Sequence, residues 1–200
     1  MIWKGPKREE KTIYLTFDDG PVPEATPWVL DVLKSYGAKA TFFCVGENVR
    51  KHPEIYLRIL EEGHTVGNHT HTHQSGYHCS IEEYKEEVKN ASAYINSSLF
   101  RPPYGKIKRS QRKMINNTYD IIMWDVLSGD FDVKISADRC KKNVLNHIQD
   151  RSIVVFHDSV KAMPRLRGCL EEILAEINLR GFQCVPLEAG TFAERHKTEI

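Results

Sequence analysis

The sequence predicts an α/β fold on a parallel sheet, and three observations lead there. Short runs rich in β-branched and aromatic residues alternate with segments of helical periodicity along the 200 residues. Turn formers separate them, and the reactive side chains fall just after the strand-like runs. Parallel neighbours need a crossover connection, and crossover helices cover the faces of the sheet, so about seven strand–helix units are expected. Alternation alone allows a closed barrel or an open doubly wound sheet.

The first strand is TIYLTF, Thr12 to Phe17, ended by Asp18, Asp19, Gly20 and Pro21. In such a turn Asp bonds its own backbone and Gly accepts positive φ. Thr26 before Pro27 reads as a helix cap followed by a first-turn proline, and Gly37 stops that helix. TFFCV, Thr41 to Val45, is the second strand; a helix from about Pro53 to Glu62 closes at Gly63, and HTVGN leads into His69. Ser80 with Glu83 forms a capping box for the next helix. Further strands are expected at Leu99 to Arg101, Tyr119 to Trp124, Ser152 to Phe156 and Gln183 to Val185. Helices are expected near Ser110 to Asn117, Ala137 to Gln149 and Gly168 to Arg180.

This length suits one domain over residues 1–200, with its core at about 12–190. A formal net charge of +1 without a basic stripe excludes the electrostatic footprint of a nucleic-acid binder. Met1 to Lys11 is charged throughout and lacks the apolar centre of a secretory signal, and no membrane-length apolar run follows. Five scattered cysteines without a Cys-x-x-Cys pair suit reduced thiols. Together these predict a cytoplasmic chain with no membrane insertion, or an extracytoplasmic one if a leader has been removed.

No Gly-x-Gly-x-x-Gly or Gly-x-x-x-x-Gly-Lys-Ser/Thr loop follows a strand, which removes the main support for a nucleotide-binding open sheet. Asp18, Asp19, His69, Arg101, Asp125 and His157 all fall at predicted strand C-terminal ends. A barrel gathers those ends on one face, where its active sites are built.

His69 and His73 lie four apart in HTHTH, a spacing that puts both imidazoles on one face of a helical turn. Asp19 is the candidate third ligand, and two imidazoles with one carboxylate leave a position for water, the composition of catalytic zinc sites.

Four motifs in order, TFDDGP at 16–21, HTHTH at 69–73, RPPYG at 101–105 and IVVFHD at 153–158, resemble the polysaccharide deacetylases of carbohydrate esterase family four, the NodB homology domain. The resemblance covers Thr12 to Val185 and implies a distorted (β/α) barrel of about seven parallel strands surrounded by helices. It implies metal-dependent removal of acetyl groups from N-acetylated sugars, with Asp19, His69 and His73 holding one divalent ion. Zinc is expected on availability, and cobalt or nickel would suit the same donors. Asp18 becomes the base, His157 the acid that protonates the leaving amine, and Arg101 the partner that fixes Asp18. The loop of Pro103 and Tyr104 would contact substrate, with the Tyr104 N–H facing the oxyanion, and Phe131 and Val155 would wall the acetyl methyl.

One departure stands out. The family pattern Asp-x-x-Asp-Trp, aligned on Asp130, puts Leu127 at its first acid and Phe131 at its Trp. The first acid is the expected orienter of His157, so Asp125 becomes the candidate substitute. Two alternatives follow: a deacylase of a small, non-polymeric amide on the same metal site, and a sugar-binding protein that has lost turnover. Oligomeric state is not legible in the sequence.

Overall fold

The computed structural model describes residues 1–188 and 190–192. Eight strands form one sheet: β1 (Thr12–Asp18), β2 (Ala40–Cys44), β3 (Thr65–Asn68), β4 (Leu99–Phe100), β5 (Asp120–Ile121), β6 (Val126–Leu127), β7 (Ile153–His157) and β8 (Gln183–Cys184). The helices are α1 (Thr26–Ser35), α2 (Gly46–Lys51), α3 (Pro53–Glu61), α4 (Ile81–Ser92), α5 (Arg109–Ile115), α6 (Ala137–Leu145), α7 (Met163–Arg167) and α8 (Leu170–Leu179).

The spatial order is β5-β4-β3-β2-β1-β7-β6, all parallel, with β8 beside the start of β1. Seven strands thus curl into a half-barrel, as the resemblance implied. No ladder joins β5 to β6 among the described residues. Instead the chain's first residues lie across that opening: Ile2 bonds the backbone of Ile121 and Met123, and Gly5 donates to the carbonyl of Arg151. Nothing in the charged N-terminal sequence announced this.

Side chains alternate across a strand, and β1 shows why both faces are buried. Ile13, Leu15 and Phe17 face the helices, with Phe17 stacked between Phe42 and Phe156 at 5.2 and 5.5 Å. Each such fully buried ring contributes roughly 1.5–3 kcal/mol of transfer free energy. Tyr14 joins Phe43, Leu99, Ile122 and Ile153 in a second cluster on the concave face. Thr16 and Asp18 continue that inward column toward the strand ends, so alternation alone aims Asp18 into the mouth.

Local expectations met three corrections. Thr26 opens α1 from inside rather than capping it; its hydroxyl accepts from Val22 N–H and donates to Asp158, 2.5 Å away. The Tyr119 to Trp124 strand shortens to β5 because the carbonyls of Ile122 and Met123 turn to Arg101. Helices α2 and α7 carried no cap signal and were not anticipated. The capping box of Ser80 and Glu83 is formed as expected.

Candidate active site

The end of β1 delivers two carboxylates into different settings. Asp18 is buried, and Arg101, fully enclosed, donates to its Oδ1 at 2.7 Å. The remaining guanidinium contacts are Thr16 Oγ1 at 2.6 Å and the carbonyls of Ile122 and Met123 at 3.2 and 2.9 Å. The Arg101 plane also lies 4.2 Å from the centre of the Phe43 ring. A guanidinium held on so many sides cannot swing, so Asp18 keeps one oxygen fixed and turns Oδ2 toward His69.

Asp19 adopts φ 84°, a left-handed conformation carried by the Asp rather than by Gly20 as the turn pattern suggested. Gly20 is required for a different reason: a Cβ there would fall 1.9 Å from Asp158 Oδ2. Asp158 is itself buried, accepts the Gly20 N–H at 3.1 Å, and donates its own N–H to the Asp18 carbonyl at 3.0 Å. Burial, only partly offset by the bond from Thr26, pushes the Asp158 carboxyl up to about 8.

His69 and His73 do converge, but not on a helical face. Residues 69–73 form a loop in which Thr70 and His73 take positive φ of 64° and 59°. Glu87 of α4 holds that loop, accepting the N–H groups of His71 and Thr72 and the Thr72 hydroxyl at 2.8–3.1 Å. The two imidazole rings stand 5.1 Å apart. Nδ1 of His69 donates to the Arg101 carbonyl at 2.7 Å, an assignment forced because that oxygen can only accept, which leaves Nε2 with its lone pair. Burial lowers the His69 pKa to about 4, more than Asp18 and the other neighbours restore, so its neutral, ligating form is favoured. His71 turns away onto Tyr94, their rings 5.8 Å apart and nearly parallel.

One donor atom from each of Asp19, His69 and His73 lies within 4.8 Å of the other two. Asp19 Oδ1 is 3.1 Å from His73 Nε2 and 3.7 Å from His69 Nε2, yet it takes no hydrogen bond of acceptable direction and is shielded from solvent. Buried oxygens are rarely left so, and the three donor atoms lie close enough together to share one ion. Burial would raise the Asp19 carboxyl, but His73, His157 and His69 together outweigh it and hold the pKa at about 2. The set therefore fits a divalent cation.

His157, at the end of β7, is oriented by Asp130 and not by Asp125. Its Nδ1 and its backbone N–H each lie 2.7 Å from one Asp130 oxygen. Burial disfavours the imidazolium, but the bond and charge of Asp130 prevail and raise the pKa to about 9. Asp125 binds Ser152 Oγ and the Ile153 N–H at 3.0 and 2.7 Å. It thus grips the start of β7, about 13 Å of strand from His157 at roughly 3.3 Å per residue.

A cavity of about 490 Å³ joins these groups, lined by Asp18, Asp19, His69, His73, Tyr104 and His157, with Trp124, Leu127, Phe131 and Val155 forming an apolar side. Phe131 meets the His157 ring edge to face at 5.2 Å. Pro103 is buried and absent from the wall; it belongs to the turn that holds Tyr104 at φ 60°. Trp124, Leu127, Ser159 and Lys161 line the cavity without having been anticipated. Trp124 is the last residue of a predicted strand, the one signal that pointed to it.

The polysaccharide deacetylase family model matches residues 5–119. The chain belongs to the polysaccharide deacetylase family. A peptidoglycan-N-acetylglucosamine deacetylase of Bacillus cereus is 36% identical over 195 residues, covering 92% of this chain and 70% of that protein. A chitooligosaccharide deacetylase of Bradyrhizobium is 34% identical, covering 88% and 89%. The crystal structure of the Bc1960 peptidoglycan N-acetylglucosamine deacetylase superposes with a TM-score of 0.85 at 34% identity, over 93% of this chain and 90% of that one. This polysaccharide deacetylase domain thus shares its half-barrel with solved relatives of the family. No helix among its described residues is long and apolar enough to cross a membrane.

Proposed function

We propose that this polysaccharide deacetylase domain hydrolyses the acetamido group of N-acetylated sugars in an oligo- or polysaccharide, releasing acetate. The observation that carries the reading is the meeting on one cavity of a cation-fit triad, an arginine-held carboxylate and a carboxylate-held imidazole. Relatives named for N-acetylglucosamine in peptidoglycan and for chitooligosaccharide support the sugar class.

Asp19, His69 and His73 would hold the ion, which we assign as zinc, with cobalt or nickel able to use the same nitrogen and oxygen donors. When bound, it supplies Lewis acidity, polarising the amide carbonyl and easing deprotonation of water. Asp18 accepts the proton of the attacking water on Oδ2, since Arg101 occupies Oδ1. The Tyr104 N–H meets the developing oxyanion. His157 starts protonated and delivers its Nε2 proton to the departing nitrogen, so that the amine leaves neutral; Asp130 keeps Nδ1 engaged meanwhile. Phe131 and Val155, with Trp124 and Leu127, enclose the acetyl methyl.

The idea of a sugar-binding protein without turnover arose from Leu127 at an expected acid. Asp130 supplies that carboxylate, and the motive disappears. The test is acetate release from N-acetylglucosamine oligomers compared with small amides, by wild type and by Asp18→Asn. The variant should keep its metal and lose turnover; undiminished turnover, or cleavage of small amides alone, would overturn the assignment.

A further inference from the structure

Asp18 and Asp130 are each backed by a buried arginine, in different ways. Arg101 touches the Asp18 carboxylate itself. Arg165, in the middle of α7 and only 8% exposed, donates to two carbonyls instead: Nε to Asp130 at 3.0 Å and Nη2 to Lys161. Among the described residues no carboxylate pairs with it. A guanidinium taken out of water without an anion to meet it is a costly way to satisfy two neutral oxygens, so what those oxygens belong to matters.

The first belongs to the segment that presents Asp130. Past the end of β6 at Leu127 that segment leaves the sheet, Gly129 turns it at φ 79°, and the Asp130 N–H meets the Ser128 hydroxyl at a long 3.3 Å. Its carbonyls are held from behind: Asn143 of α6 donates to Ser128 at 2.9 Å, and Arg165 of α7 to Asp130. The two helices press together there, since a Cβ on Gly168, just after α7, would fall 2.6 Å from the Cβ of Ala137 at the start of α6. The second carbonyl, Lys161, lies in the turn that follows β7 and His157. Arg165 thus joins the backbone on either side of the Asp130–His157 pair, whose two bonds of 2.7 Å lie between.

We propose that Arg165 is a positioning residue for proton delivery to the leaving nitrogen: it fixes the backbone of Asp130 so that both carboxylate oxygens stay on His157. The inference rests on the deacetylase reading above and adds the group that keeps the acid's partner in place. Two bonds from one carboxylate to two atoms of one residue tolerate little displacement, because hydrogen bonds weaken steeply as their angles close. A planar fork reaches carbonyls of two segments at once, which a single ammonium does not.

The test uses the zinc-loaded chain with Arg165→Met, which keeps the bulk, and Arg165→Lys, which keeps the charge and can reach one carbonyl. Two substrates separate this role from general damage: an N-acetylglucosamine oligomer, whose amine must be protonated to leave, and 4-nitrophenyl acetate, whose phenolate leaves without an acid. Arg165→Met should lower kcat on the oligomer about tenfold, part of the roughly 10²–10⁴-fold that a positioned acid contributes, and hold the aryl ester within about twofold. KM and zinc affinity should not change, and Arg165→Lys should show a smaller loss of the same kind. The low-field proton resonance of His157 Nδ1, identified as the signal that Asp130→Asn removes, should weaken or shift in Arg165→Met and recover in Arg165→Lys. Equal losses on the two substrates, or an oligomer rate and a proton signal both like the parent's, overturn the proposal. If Arg165→Met does not fold, Arg165→Lys is read by the same criteria. A parent chain that releases no acetate from the oligomer overturns the deacetylase reading instead, and the proton signal then decides on Arg165 by itself.

Discussion

Asp130 holds His157 at two points, one oxygen on the ring Nδ1 and the other on the backbone N–H, both at 2.7 Å. The double grip fixes the ring's rotation as well as its charge, since a carboxylate on Nδ1 favours the imidazolium.

Asp130→Asn should therefore move the pH profile. His157 must be protonated to act, so activity is lost as pH rises through its folded pKa, raised to about 9 by Asp130 against burial. With the carboxylate gone, burial acts with less opposition and the alkaline limb of kcat/KM shifts to lower pH by a unit or more. A bound cation lowers the limb in both proteins, so the difference between them is the prediction. The linked stability has the same sign: it is fully present below the unfolded value of about 6.5 and fades as pH rises through the folded one. An unshifted limb would show that Asp130 does not tune this ring.

Arg101→Lys should cost stability in spite of the retained charge. An ammonium cannot replace a guanidinium that reaches Thr16, Asp18 and two carbonyls at once, and a buried Asp18 left poorly paired costs on the order of 3–5 kcal/mol. Chemical denaturation read by fluorescence checks this; a loss below about 1 kcal/mol would contradict the hub role.

Asp19→Gly should separate fold from ligation. Glycine accepts φ 84° without strain but loses the ion pairs that His73 and His69 make with the carboxylate, so the metal-free protein should still fold with a loss of no more than about 2 kcal/mol. The wild type alone should gain stability when zinc is added, about 2.7 kcal/mol at a hundredfold excess over Kd. Equal thermal shifts with zinc in the two proteins would remove Asp19 from the ligand set.

Glu87→Gln should weaken metal binding from a distance. One amide oxygen cannot replace a carboxylate that accepts three bonds from His71 and Thr72, and the loop that presents His69 and His73 loosens. Loss of support behind metal ligands typically costs 10–100-fold in affinity, about tenfold for this conservative change. Competition with a chromophoric chelator measures it, and an unaltered zinc affinity would reduce Glu87 to a helix surface residue.

The sequence carried the strands that matter because β1, β2 and β7 are buried on both faces and read as runs of apolar and β-branched residues. Asp18, Asp19, His69, His73 and Arg101 were legible because each sits beside its own strand end in a local motif. Asp130 was not, since its bond to His157 spans 27 residues and depends on how a loop returns to β7. Asp125 looked equivalent, being nearer its strand; only the register shows it serving the strand's other end. The left-handed loop at Thr70 and His73 likewise has no glycine to announce it.

The bonds around Asp158 have a consequence for how the site keeps its dimensions. Its N–H reaches the Asp18 carbonyl and its carboxyl oxygen accepts the Gly20 N–H, bracketing Asp19, while its own chain neighbour is His157. One residue thereby gauges the span between the turn that carries Asp19 and the strand end that carries His157. The turn after β1 and the end of β7 are tied to each other, so their spacing is set by one side chain and one backbone N–H.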